Sequence, residues 1–130
     1  MRNARAIVHV DDDPMFTRLV AAQMSRLGFS VAEFHDAAEF LDALPRRHER
    51  LVLLDIAMPG IDGLETLRRI KAFDGGILVI VLTGVVEMTT VLEALRCGAE
   101  ACFFKPLVDI QPLARAVACS SRKIERWWQT

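Results

Sequence analysis

Short apolar runs alternate with amphipathic stretches along the whole chain. "RAIVHV" (5–10) predicts a strand, and "PMFTRLVAAQMSRLG" places Phe16, Leu19, Val20, Met24 and Leu27 at helical spacing on one face. "SVAEFH" (30–35) predicts a second strand, followed by a short helix with Asp36 as N-cap and Glu39 in the capping-box position. "LVLLD" (51–55) predicts a third strand, and Asp62 with Glu65 forms a second capping box opening a helix through Leu64, Leu67 and Ile70. "ILVIVLT" (77–83) predicts a fourth strand, and a helix near 86–97 ends at Gly98, a natural residue just past a helix C-terminus. "ACFFK" (101–105) predicts the fifth strand, closed by Pro106. The last helix carries Ile110, Leu113, Val117, Ser121 and Ile124 on one stripe.

Five strand–helix alternations in one compact domain predict an α/β fold, a doubly wound parallel sheet with helices on both faces. The nearly unbroken apolar runs at 51–54 and 77–82 suit central strands covered on both sides. In such sheets ligands bind outside the carboxyl ends of the strands. Those ends carry Asp11-Asp12-Asp13, Asp55, Thr83-Gly84 and Lys105-Pro106. Converging carboxylates repel unless a cation lies between them, and an oxygen-rich site with few protein ligands suits Mg²⁺. A metal, an ammonium and a hydroxyl aimed at one point are the parts that phosphoryl transfer requires. A carboxylate can itself accept the phosphoryl group, and Asp55, alone at the end of a buried strand, is the natural acceptor.

Composition narrows the picture. At 130 residues the chain is one domain, with 52% hydrophobic residues, a quarter charged and a net charge of −1. That balance argues against direct nucleic-acid binding, which needs a basic face. Thirteen of the sixteen basic residues are arginines, scattered rather than clustered. Cys97, Cys102 and Cys119 lack metal-ligand spacing and fit free thiols in a reducing cytosol, so a cytoplasmic location is expected. No signal peptide and no apolar run near 18 residues is present, which speaks against export and membrane spanning. Asp13 precedes Pro14 and reads as the N-cap of the first helix, and Asp62 reads as a cap alone. His9, His35 and His48 are scattered and receive no role.

The motifs "VDDDP" (10–14), "LLDIAMPGIDGLE" (53–65), "LTG" (82–84) and "FFKP" (103–106), in this order and spacing, resemble the receiver domain of two-component response regulators (CheY-like). The resemblance covers about residues 5–121 and implies a flavodoxin-like five-stranded parallel sheet, order 2-1-3-4-5, with five helices. It divides the chain into a receiver at 1–121 and an extension of the last helix at 122–130, the start of a linker to an absent output domain. It implies that Asp55 accepts a phosphoryl group from a sensor histidine kinase or phosphotransfer protein. The same resemblance implies that Asp12 and Asp55 would bind Mg²⁺ (or Mn²⁺) directly, that the Ala57 backbone carbonyl would complete the protein ligands, and that Asp11 would hold a metal-bound water. Thr83 bonds one phosphoryl oxygen and Lys105 pairs with another. Movement of Thr83 repacks the face formed by the fourth helix, the fifth strand and the last helix, which then switches binding of an effector or output domain. On this reading the chain is not an enzyme beyond its own phosphorylation and dephosphorylation, and it homodimerises through that face or through the tail bearing Trp127 and Trp128.

The chain departs from the family at three positions. The family's switch aromatic, three residues before the lysine, is replaced by Cys102; by strand alternation Phe104 shares that face and is the candidate substitute. Ala57 and Val85 stand where the family flanks the hydrolytic water, and neither side chain orients or deprotonates water, which predicts slow loss of the phosphoryl group. Two other readings compete. A pseudo-receiver binds partners without taking phosphate and shows no Mg²⁺ response. A haloacid-dehalogenase-like phosphatase uses a strand-end D-x-D, here Asp11 and Asp13, but leaves Asp55 without a role and has only Asp109 where an acidic pair should follow the lysine.

Overall fold

The computed structural model describes residues 4–84 and 87–129, the side chains of Trp128 and Gln129 excepted. The expectations for Val85 and the Trp128 side chain therefore lie outside the described residues. The strands are β1 (Ala6–Val10), β2 (Ser30–Phe34), β3 (Leu51–Leu54), β4 (Leu78–Thr83) and β5 (Ala99–Phe104). The helices are α1 (Pro14–Arg26), α2 (Ala37–Ala43), α3 (Gly63–Phe73), α4 (Met88–Arg96) and α5 (Gln111–Gln129), with one 3₁₀ turn at Leu44–Arg46. The strands form one parallel sheet in the order β2-β1-β3-β4-β5.

Alternation along the central strands builds two cores. Ile7, Leu51, Leu53, Ile80 and Leu82 face α1 and α5, meeting Val20, Met24, Leu113, Val117 and Ile124. Val8, Val10, Val52, Leu54, Val79 and Val81 face the other way, against Phe40 of α2, Leu67 and Ile70 of α3 and Ala94 of α4. Covering both faces explains why these strands read as unbroken apolar runs. No helix among the described residues is long and apolar enough to cross a membrane.

The helix starts follow local chemistry. Asp13 accepts from the backbone N–H groups of Met15 and Phe16, Asp36 from Ala38 and Asp62 from Leu64. Glu65 does not complete a capping box; its carboxylate pairs with Arg69 at 3.0 Å and Arg68 at 3.9 Å along the helix. Gly98, at φ +104°, closes α4 in the left-handed conformation.

Several expected boundaries and faces are corrected. β3 ends at Leu54, so Asp55 is the first residue beyond it. β5 begins at Ala99 rather than 101, because a register shift opposite Val79 and Ile80 leaves Glu100 out of the pairing. Glu100 instead receives Lys123 Nζ at 2.7 Å. On α1, Val20 and Met24 are buried, but Leu19 is 56% exposed and Leu27 45% exposed, so the apolar stripe is wider than the face the sheet covers. α5 runs without a break to Gln129, through the described part of the predicted 122–130 extension, with Trp127 largely exposed beside Arg50, Leu78 and Ile124.

Candidate functional site

Strand geometry delivers the acidic residues to one rim. Past the end of β1, the Asp11 N–H still donates to Phe34 O of β2 at 3.0 Å, and Asp11 Oδ1 accepts from Asp13 N at 3.0 Å. These two bonds turn the Asp11 carboxylate inward, where it is wholly buried. Asp55 continues the ladder in the same way: its N–H donates to Val10 O at 3.0 Å, and its Oδ1 accepts from Ala57 N at 2.8 Å. Asp12 lies exposed on the turn between them. One carboxylate oxygen each from Asp11, Asp12 and Asp55 lies within 4.8 Å of the other two.

Lys105 reaches the same point from β5. Its N–H donates to Thr83 O at 3.0 Å, and its Nζ lies 2.7 Å from Asp11 Oδ2 and 2.9 Å from Asp55 Oδ2. The ammonium also stands 4.9 Å from the centroid of the Phe16 ring, a cation–π contact. Burial works to lower the Lys105 pKa, but the bonds to Asp11 and Asp55 outweigh it and hold the group above the ordinary lysine range. Burial pushes the Asp11 carboxyl up, and the Lys105 and Asp13 hydrogen bonds only partly reverse it. Three carboxylates converge here on one lysine, leaving excess negative charge. The donor set is all oxygen, with no thiol or imidazole in the group, and fits a hard divalent cation such as Mg²⁺ or Mn²⁺.

Thr83 ends β4 and is buried. Parallel pairing sets Phe104 in register with Thr83 and Cys102 in register with Val81, so all three share the face toward α3 and α4. Cys102 is half-buried against that core, and burial pushes its thiol up, which keeps it protonated at neutral pH. Phe104 is partly exposed at the strand end. Asp13, the second acid of a D-x-D phosphatase motif, caps α1 through Oδ1 at 3.0 Å from Met15 N and 3.3 Å from Phe16 N.

One residue near the site escaped the sequence reading. His9, given no role there, is wholly buried on β1 with its Nε2 4.0 Å from Asp11 Oδ2. The available signal was parity: residues 7, 9 and 11 lie on one side of a strand, so a histidine at 9 points the same way as Asp11.

The comparisons show the family. The family model described as the response regulator receiver domain matches residues 7–118. Transcriptional regulatory protein FixJ of Azorhizobium caulinodans is 34% identical over 120 residues, covering 92% of this chain and 57% of that protein. Sporulation initiation phosphotransferase F of Bacillus subtilis is 32% identical over 117 residues, covering 90% of this chain and 93% of that one. The solved CheY-like receiver domain protein of Methanospirillum hungatei superposes with a TM-score of 0.87 at 25% identity, covering 94% of this chain and 97% of that one. The chain spans about half the length of the FixJ relatives it matches. With its sheet order, its three converging carboxylates and the lysine that bridges two of them, the chain belongs to the response regulator receiver domains of two-component systems.

Proposed function

We propose that Asp55 accepts a phosphoryl group, in a Mg²⁺- or Mn²⁺-dependent reaction, from a phosphohistidine on a sensor histidine kinase or phosphotransfer protein. The observation that supports this most directly is the Lys105 ammonium 2.9 Å from Asp55 Oδ2, beside two further carboxylates. A cation already at the acceptor oxygen is placed to meet the incoming negative charge, and charge stabilisation of that kind is where such sites gain their rate. An Asp55 oxygen attacks phosphorus, and the P–N bond to the donor imidazole breaks as the P–O bond forms. The released nitrogen keeps the electron pair and takes a proton from water. Asp11, Asp12 and Asp55, with the Ala57 carbonyl, would hold the divalent ion, which offsets charge on the transferring group.

Lys105 then exchanges its carboxylate contacts for a phosphoryl oxygen, and the Thr83 hydroxyl donates to another. Thr83 moving toward the phosphate biases the α4-β5-α5 face, with Phe104, in register beside it, taking the part that Cys102 cannot. That face would engage an effector, an output domain joined after residues 122–130, or a second copy of the chain, with Trp127 offering an alternative contact. The donor approaches over the rim beside α1, where a groove of about 700 Å³ is lined by Phe16, Leu19, Lys105, Pro106 and Val108.

The test is intact mass after incubation with acetyl phosphate and Mg²⁺, for wild type and Asp55→Asn. One phosphoryl adduct on wild type alone is expected. An adduct on neither protein would overturn the reading in favour of a binding module that never takes phosphate, and steady turnover of a small phosphomonoester would favour a phosphatase.

A further inference from the structure

His9 stands directly under the acidic rim, and nothing in the proposed chemistry uses it. Its side chain is wholly buried, and neither ring nitrogen has a hydrogen-bond partner among the described residues. Buried polar groups without partners are rare in folded proteins and call for a reason. The ring packs edge-on against Phe16, with centroids 5.6 Å apart, and Phe16 in turn lies under the Lys105 ammonium. His9 Nε2 faces Asp11 Oδ2 at 4.0 Å, and that same oxygen is held by Lys105 Nζ at 2.7 Å. An uncharged imidazole carries one N–H donor and one acceptor nitrogen, so either tautomer leaves a group here that needs a partner.

The arrangement makes sense if Asp11 changes partners. When Lys105 turns to a phosphoryl oxygen it leaves Asp11 Oδ2, a wholly buried anionic oxygen, without its cation. A carboxylate in that position swings or loses affinity for metal unless another donor holds it. Closing about 1 Å brings an imidazole N–H into hydrogen-bond range. We infer that His9 is a positioning residue whose Nε2–H takes over Asp11 Oδ2 when Lys105 departs, fixing the Asp11 carboxylate at the metal in the phosphorylated state. The inference rests on the proposed function, since it needs Lys105 to move. It also explains why a polar ring occupies a position flanked by Val8 and Val10 in the strand: in the resting state its nitrogens lie beside an oxygen that is ion-paired with Lys105 but accepts no hydrogen bond among the described residues.

The experiment compares wild type, His9→Leu and His9→Gln as full chains, using beryllofluoride as the phosphoryl mimic. Three readouts are taken: the Mg²⁺ half-saturation point for beryllofluoride binding, the thermal midpoint without Mg²⁺, and the imidazole ¹H–¹⁵N spectrum of wild type. His9→Leu is expected to fold with a midpoint at or above wild type, because an unpartnered polar ring is gone. Its Mg²⁺ half-saturation should nevertheless rise about tenfold, while His9→Gln, which keeps an N–H of similar reach, stays within about threefold of wild type. In wild type, a protected, downfield Nε2–H signal should appear only with beryllofluoride and Mg²⁺ together. Unchanged Mg²⁺ half-saturation in His9→Leu, or no such signal in a wild type that does take an acetyl-phosphate adduct, would show that His9 only fills the core. If His9→Leu fails to fold, the Gln variant and the wild-type spectrum decide the matter. A wild type that takes neither acetyl-phosphate adduct nor beryllofluoride overturns the function itself, and this inference with it.

Discussion

Lys105 and Asp55, fifty residues apart, meet at 2.9 Å between Nζ and Oδ2, and the same ammonium holds Asp11 at 2.7 Å. The lysine thus occupies the charge environment that a divalent ion would take, and an ion bound there would compete with it. Lys105→Met removes the competitor and leaves Asp11 and Asp55 facing each other without a counter-charge. Without metal, the variant should lose about 3 kcal/mol of stability, the usual scale for stripping one partner from a buried pair. Mg²⁺ should restore much of that loss through its preferential binding to the folded state. The expected result is a larger Mg²⁺-induced rise in thermal midpoint for Lys105→Met than for wild type, together with slower labelling by acetyl phosphate. Equal rises in both proteins would mean that the lysine and the ion do not share a site.

Gly63 supplies a second prediction, and a physical reason for the glycine in "GIDG". It opens α3, it is buried, and a Cβ built there runs into the Ile56 backbone, on the residue next to Asp55. Neither backbone segment can give way cheaply, since Asp62 caps the helix and Ala57 N is tied to Asp55 Oδ1. Gly63→Ala should destabilise by about 3 kcal/mol, the upper end for overpacking. It should also slow acetyl-phosphate labelling at Mg²⁺ saturation, because relief of the clash moves the loop that carries the acceptor. Chemical denaturation and the labelling rate read the two effects separately.

Much of this architecture could be read from the chain before any coordinates. Residues 51–54 and 78–82 are apolar on both parities, and only a sheet covered on both faces buries both sets. Every strand-end residue of the candidate site, from Asp11 to Lys105, follows from that frame. What could not be read depended on tertiary partners. Leu19 and Leu27 have the spacing of core residues, yet both stay about half exposed, Leu27 at the cap just past the last turn of α1. The early start of β5 arises from a register shift opposite Val79 and Ile80 that no local pattern announces. His9 was hidden by its setting: one polar residue inside an apolar strand carries a parity but no sign of its partner. The Lys105 bridge to Asp11 was equally invisible, because the resemblance assigns that lysine to a phosphate rather than to a second carboxylate.

Glu49 contributes to the acid limb of stability. It is buried just before β3, with both its oxygens bonded to the Arg47 guanidinium. Burial works to raise its pKa, but the Arg47 hydrogen bonds and charge outweigh it and hold the carboxyl below the ordinary glutamate value. Between the native value and the unfolded one the unfolded chain binds more protons than the folded one, so stability rises with pH across that window. The contribution is complete above the unfolded value and is lost as pH falls through the native one. Glu49→Gln should cost about 2 kcal/mol at neutral pH, the scale of charge-assisted bonds at a partly covered arginine. Its acid decline should be shallower, with the two proteins converging at low pH. Urea titrations at several pH values measure this, and parallel declines would count against the pair.

Ala57 should set the lifetime of the phosphoryl group. Its N–H is committed to Asp55 Oδ1 at 2.8 Å, and its methyl is exposed beside the acceptor. Water attacking an aspartyl phosphate gains from a side chain that accepts or donates a hydrogen bond near the line of attack, and a methyl group offers neither. The wild-type adduct should therefore persist for minutes or longer once acetyl phosphate is removed. Ala57→Asn places an amide at the same position without disturbing the backbone bond, and should speed loss about tenfold, well short of a fully evolved site. Intact mass followed over time gives both rates on the same preparation. Loss within seconds from wild type would mean that water is oriented by some other group. A slower loss in the variant would mean that the larger side chain shields the phosphorus more than it activates the water, so the sign of the change separates orientation from access.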